Sequence, residues 1–224
     1  DFLIRETHSA LGVQLRREDV KSVWVGLRPL VGAGHAGQGS TAELSREHLI
    51  VREAPGFLTV TGGKWTTYRA MAEAVMAALV QAGDVVPAAR PAGTDAHRLF
   101  GAPAAGAPAL SLRDAPGPHL LGTQAGELAA LPGSDVVLGL GLSEAIVRYS
   151  ARHEWAVTVE DMLARRWRVL FLDAGLAEAM APRVAAILQQ ETGIDPELPA
   201  FLDLCRRYRI DAPAAAEPGK PCAA

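Results

Sequence analysis

The chain has 224 residues, 49% of them hydrophobic and 21% charged, with a formal net charge of −3. That length suits one or two domains with a sizeable core, and the near-neutral balance excludes a general pull toward nucleic acid or anionic lipid. Cys205 and Cys222 are the two cysteines, too few and too poorly spaced for a disulfide framework or a zinc site, so a reducing compartment and no metal are expected.

The 22 glycines and 15 prolines fall short of a low-complexity chain. The best apolar run, Ala70 to Val80, is broken by Glu73, so no membrane span is expected. The opening Asp1-Phe2-Leu3-Ile4-Arg5-Glu6 has neither an initiator Met nor a basic n-region, and it reads as the interior of a longer protein.

Three zones differ in composition. In residues 1–82, Phe2 to Leu11 reads as a short helix. Lys21 to Val31 is almost uninterruptedly apolar and β-rich, which predicts a buried strand. A Gly-rich loop follows from Gly32 to Gly39, then a strand over His48 to Glu53, a turn at Pro55-Gly56 and a strand over Phe57 to Thr61. After Gly62-Gly63 the period changes, and Trp65 to Ala82 becomes an amphipathic helix. Residues 83–118, rich in Pro, Ala and Gly, form a linker. Residues 119–210 read as helices only: His119 to Leu131, Ser143 to Val157, Thr158 to Val169, Leu176 to Thr192 and Pro196 to Tyr208. Ser143 is a candidate N-cap, and Thr158 with Asp161 resembles a capping box. Short connections favour an antiparallel bundle, and residues 211–224 form a tail.

Gly32-Ala33-Gly34-His35-Ala36-Gly37 satisfies G-x-G-x-x-G, but no amphipathic helix begins inside it, so it does not read as a dinucleotide loop. His153-Glu154 lacks the second His of a zincin motif, since Val157 stands there. The stronger element is the stretch from Gly62 to Arg69 between a strand and a helix. Paired glycines allow close backbone approach, the helix start directs N–H groups at a ligand, Lys64 adds charge, and Thr66 and Thr67 add hydroxyls. An ordinary strand-to-helix turn with a surface Lys explains the same pattern equally well. Arg28, in an apolar run, needs a carboxylate, phosphate or carbonyl, and a structural salt bridge would serve. Arg46 is read as a solvated charge. Arg148, Arg152, Arg165, Arg166 and Arg168, with Trp155 and Trp167, form the most basic helical region. Structural ion pairs are the expected explanation there, ahead of an anionic surface or a partner.

Val23-Trp24-Val25-Gly26-Leu27-Arg28-Pro29-Leu30-Val31, Leu44-Ser45-Arg46-Glu47-His48 and Thr61-Gly62-Gly63-Lys64-Trp65-Thr66-Thr67-Tyr68-Arg69-Ala70-Met71-Ala72 strongly resemble the FAD-dependent glycerol-3-phosphate dehydrogenases. The resemblance continues through His119-Leu120-Leu121-Gly122-Thr123, Arg152-His153-Glu154, Glu160 to Arg166 and Phe171-Leu172-Asp173-Ala174. It covers nearly all of residues 1–210 and lies in the C-terminal portion of the family.

The resemblance implies an α+β chain: the C-terminal part of a glutathione-reductase-like FAD and substrate domain (1–82), the linker (83–118), an all-α helical domain (119–210) and the tail. The family's Rossmann unit, which grips the ADP part of FAD, is missing. The implied activity is oxidation of sn-glycerol 3-phosphate to dihydroxyacetone phosphate, with electrons passing to quinone. Oxygen as acceptor, or an isolated helical interaction module, are the alternatives. The chain alone is expected to be inactive. Implied flavin contacts are Gly62, Gly63, Lys64, Trp65, Thr66 and Thr67. Arg28 and Lys64 are the implied catalytic groups, and Arg28, Arg46 and Lys64 the implied substrate contacts. His48 is weighed as a base and as an unremarkable strand residue. The parent would be peripheral on the cytoplasmic face of the inner membrane, with no nucleic acid partner, and a homodimer is compatible.

Overall fold

The structure, a computed structural model, describes residues 2–27, 47–87, 93–104, 106, 107 and 114–210. It divides into two units, residues 1–25 with 100–224, and residues 26–99. Mixed helix and small sheets make up the described residues, with most of the helix in the first unit.

In the first unit, helix α1 spans Phe2–Leu11, where the sequence predicts it. The C-terminal part follows its caps. Ser143 Oγ accepts from Ile146 N–H at 3.3 Å and starts α3, Glu144–His153. The Thr158–Asp161 capping box closes reciprocally, Asp161 N–H on Thr158 Oγ1 at 3.1 Å and Thr158 N–H on Asp161 Oδ2 at 3.0 Å. Those bonds and a third, from Val157 N–H, outweigh burial and hold the Asp161 carboxyl below its usual range. The predicted helix over Thr158 to Val169 does not run on from this cap. Asp161–Arg166 is a π-helical turn, Trp167 N–H reaches back to Met162 O at 2.9 Å, and Arg168 stands at φ 57° before α4, Val169–Leu172.

Asp173 then caps α5, Ala174–Thr192, through Leu176 N–H at 2.9 Å, and α6 spans Leu198–Tyr208. Pro182 sits inside α5 at a typical interior cost of about 3 kcal/mol. The helix persists because Ala177, Met180, Ala181, Val184 and Leu188 form a buried stripe at helical spacing. Ile146, Leu163, Leu170 and Phe201 complete the core. At about 1.5–3 kcal/mol for each large side chain removed from water, such a stripe outweighs one proline.

Three further expectations need correction. Residues 119–210 are not helix alone: β3, Val137–Gly139, pairs antiparallel with β4, Leu142–Ser143. The helix over His119 to Leu131 is a run of 3₁₀ turns, Pro118–Ala130, broken at Gly122. Gly122 has φ 56°, and a β-carbon there would lie 1.9 Å from Gly101 O, so only glycine permits this crossing. Lys21 to Val31 is not a strand over its described part. Lys21, Ser22 and Val23 are hydrogen-bonded to the helices, and residues 21–27 form no strand. The uninterrupted apolar pattern predicts burial, yet Val25 is 89% exposed.

The basic helical region is tied up in ion pairs: Arg148 and Arg152 with Glu191, Arg165 with Glu160 and Asp161, and Arg166 with Asp161. No helix among the described residues is long and apolar enough to cross a membrane.

The second unit holds β1, His48–Ala54, and β2, Phe57–Gly62, in antiparallel register from His48↔Gly62 to Ala54↔Phe57. Gly56, at φ 73°, makes the turn that Pro55-Gly56 announces. A 3₁₀ turn, Trp65–Thr67, leads into α2, Tyr68–Gln81. Asp84, just past α2, accepts from Arg52 Nε and Nη2 at 3.0 and 2.9 Å and from Gly56 N–H at 3.1 Å. The Arg52 guanidinium holds that carboxyl below the usual carboxylate range. No residue of β1, β2 or α2 is buried.

Candidate functional site

The end of β2 and the start of α2 enclose a recess of about 450 Å³. Its lining is Glu47, His48, Gly63, Lys64, Thr67, Ala70 and Met71. Two glycines at positive φ shape it, Gly62 at 77° and Gly63 at 81°. A β-carbon on Gly63 would lie 2.5 Å from Met71 Cε and 3.2 Å from His48 Cβ, and one on Gly62 would lie 2.7 Å from Glu47 O. Gly63 is therefore packed against Met71 and His48, with no room for a side chain.

Lys64 is exposed at the rim and makes no ion pair among the described residues. An ammonium left without a carboxylate is available to an anion. The helix start behind it carries no side-chain cap at either Lys64 or Thr67. Thr67 spends both its N–H and its hydroxyl on Lys64 O, each at 3.0 Å. The Trp65 and Thr66 N–H groups meet no acceptor among the described residues, so the free donors lie at the front of the turn. Trp65 is 87% exposed and tilts against Tyr68 with ring centroids 5.7 Å apart, an aromatic lip beside the lysine.

Gly63, Lys64 and Thr67 thus meet at one recess, while Gly62 shapes it and Trp65 and Thr66 flank it. Arg28 and Arg46 lie outside the described residues. Sequence reasoning gave Met71 and Glu47 no role here. Met71 was legible only as a residue of the predicted amphipathic helix. Glu47 had no such signal, because it enters through the hairpin register. Among the described residues no cluster of His, Cys, Asp and Glu could hold a metal ion.

Residues 119–198 match the family model of the C-terminal domain of alpha-glycerophosphate oxidase. A mitochondrial glycerol-3-phosphate dehydrogenase of Arabidopsis thaliana is 32% identical, over 85% of this chain and 34% of that protein. Glycerol-3-phosphate dehydrogenase 1 of Mycobacterium bovis is 34% identical over 84% of this chain and 37% of that one. This chain is akin to the C-terminal portion of the glycerol-3-phosphate dehydrogenases. The mitochondrial enzyme of Bos taurus is 32% identical over 87% of this chain and 29% of its own length. The chain thus spans about a third of the length of the curated relatives it matches. No solved structure matches it.

The alignments cover more than the helical domain model. Coverage of 84–87% of this chain has to take in residues N-terminal to position 119, where the recess lies. The relatives are named dehydrogenases and the family model an oxidase.

Proposed function

We propose that this chain is the C-terminal part of an FAD-dependent glycerol-3-phosphate dehydrogenase that oxidises sn-glycerol 3-phosphate to dihydroxyacetone phosphate and passes electrons to quinone. One observation carries the reading: Lys64, without an ion-pair partner among the described residues, stands beside Gly63 at a recess where a strand gives way to a helix. The residues suit one edge of a flavin in their chemistry: an ammonium without an ion-pair partner among the described residues beside free N–H donors at the start of a helical turn. FAD, when bound, supplies the hydride acceptor.

This chain's residues do the rest. Gly62 and Gly63 keep side chains out of the cradle. The Trp65 and Thr66 N–H groups and the Lys64 ammonium oppose negative charge developing at the recess, and they are preorganised because the turn is already formed. Thr67 braces the turn from within. Arg28 polarises the substrate oxygen or pairs with its phosphate, and Arg46 offers a second guanidinium suited to bidentate phosphate binding. His48 is the one imidazole in the lining and the candidate to take the hydroxyl proton.

In this reading residues 1–82 end a glutathione-reductase-like FAD and substrate domain, 83–118 connect it, 119–210 form the helical domain and 211–224 the tail. The absence of any buried residue in β1, β2 and α2 supports it, because such elements suit cover by further chain. The whole protein would sit peripherally on the cytoplasmic face of the inner membrane.

The test is Lys64→Ala and Arg28→Ala in the full-length protein. Each is expected to lower kcat/KM for glycerol 3-phosphate about tenfold or more. Near wild-type kinetics in both would overturn the reading. The chain by itself, mixed with FAD and desalted, is expected to emerge colourless; a retained yellow complex would show that the recess suffices for flavin.

A further inference from the structure

The chain has four methionines, and the fold treats them differently. Met162 and Met180 are buried in the helical core, at 0% and 4% exposure. Met76 is 50% exposed and lines a hollow with Tyr68, Arg69 and Thr94. Met71 is half-buried and lines the recess with His48, Gly63 and Lys64. Met71 and Met76 both belong to α2, five residues and about 140° apart, so they stand on different faces of one helix.

The Met71 thioether packs directly on Gly63. A β-carbon on Gly63 would lie 2.6 Å from Met71 Sδ and 2.5 Å from its Cε, so that side of the sulfur has no room for another heavy atom. The same side chain borders a recess of about 450 Å³, against the roughly 30 Å³ that one water occupies, so a molecule of peroxide fits. Oxidation turns a flexible apolar thioether into a polar sulfoxide. Beside Gly63, the added oxygen either pushes the glycine backbone away or turns into the recess. The first displaces Lys64, which follows Gly63 directly. The second sets a neutral acceptor in competition for the Lys64 ammonium and the Trp65 and Thr66 N–H groups.

We propose that Met71 is an oxidation site through which hydrogen peroxide switches off flavin binding at the recess. The inference rests on the functional reading above, which sets one edge of a flavin at Gly63 and Lys64. Peroxide forms wherever oxygen takes two electrons and two protons from an electron-carrying site. A lone pair of Met71 Sδ attacks one peroxide oxygen, the S–O bond forms and the O–O bond breaks. The other oxygen leaves as hydroxide and takes the proton still on the transferred oxygen, which gives water and the sulfoxide. Sulfur is oxidised by two electrons and peroxide is reduced by two. Methionine sulfoxide reductases remove the oxygen again, so the change is reversible. The core shields Met162 and Met180, and Met76 oxidises away from the recess, which leaves Met71 as the methionine whose oxidation reaches it.

The test treats the full-length protein, wild type and Met71→Leu, with graded hydrogen peroxide. Peptide mass spectrometry reads sulfoxide at Met71 and Met76, and visible absorbance after gel filtration reads retained flavin. In the wild type, flavin loss is expected to track Met71 sulfoxide rather than Met76 sulfoxide. Methionine sulfoxide reductases should then restore binding when FAD is added back. Met71→Leu, compared with its own untreated sample, should need about fivefold more peroxide for the same fractional loss, since leucine has no sulfur to oxidise. Met71 left reduced at doses that oxidise Met76, Met71 oxidised with flavin retained, or equal sensitivity in Met71→Leu each overturns the proposal. A full-length protein that holds no flavin before any treatment sinks the functional reading first, and this inference with it.

Discussion

Arg148 Nη1 donates to Glu191 Oε1 at 2.6 Å between α3 and α5, with both side chains only 9% exposed. Arg152 adds a second fork to the same carboxylate, Nε to Oε2 at 2.7 Å and Nη2 to Oε1 at 3.1 Å. Glu191 therefore neutralises two guanidinium groups, one of them buried. Arg148 keeps Gln190 Oε1 at 3.0 Å and Glu144 Oε2 at 3.9 Å, so Glu191→Ala is expected to destabilise the protein by about 1.5–3 kcal/mol, the usual worth of a hydrogen bond to a charged group. Urea unfolding followed by circular dichroism measures it.

The same carboxylate sets an acid limit. The Arg152 hydrogen bonds, working against burial and joined by Arg148, hold Glu191 below its ordinary range. Its folded pKa thus lies under its unfolded value of about 4.3. The stability it contributes is complete above that value and is lost as pH falls through the depressed folded pKa. Melting temperatures from pH 7 to 3 should fall steeply only at the acid end, and Glu191→Gln should flatten that fall.

Gly63→Ala meets two obstacles, a φ of 81° and a contact of 2.5 Å with Met71 Cε. The backbone term alone costs about 1–2 kcal/mol. The substitution should weaken flavin retention by the full-length protein, read from visible absorbance after gel filtration. Adding Met71→Ala should recover part of the loss, because it relieves the steric contact but not the dihedral. No recovery at all would mean that Met71 has room to move.

Trp155 is 84% exposed and stands at φ 58°, just past the end of α3, where glycine is the residue of least strain. Arg166 fixes the corner by donating from Nε to Glu154 O at 3.1 Å and from Nη2 to the same oxygen. Trp155→Gly should raise stability by about 1 kcal/mol, whereas Trp155→Ala, which keeps the strain, should not. Parallel thermal melts of the three proteins decide it.

Cys205 is fully buried in the core, and burial pushes its thiol up to about 11. Little thiolate exists there at neutral pH. Iodoacetamide at pH 7.5 should leave Cys205 unmodified in the folded protein and label it readily in denaturant, as peptide mass spectrometry would report.

The sequence alone carried the local rules. Ser143, the Thr158–Asp161 pair, Pro55-Gly56 and the strand-to-helix change after Gly63 were legible because each is decided by a few neighbouring residues: a hydroxyl within reach of an N–H, a proline that sets φ, a glycine that accepts positive φ. The same locality made Gly62 to Thr67 readable as a candidate binding turn. What only the tertiary structure decided depends on groups distant in the chain. Lys21 to Val31 reads as a buried strand, yet over its described part it forms none, and its hydrogen-bond partners, Leu170, Ala174 and Tyr208, stand about 150 residues or more away. Pro182 survives inside α5 because a buried stripe outweighs its local cost, and Gly122 breaks a helical pattern because Gly101 crosses it. Pattern and propensity act over one or two turns, whereas burial and backbone pairing are set by whatever the fold brings alongside.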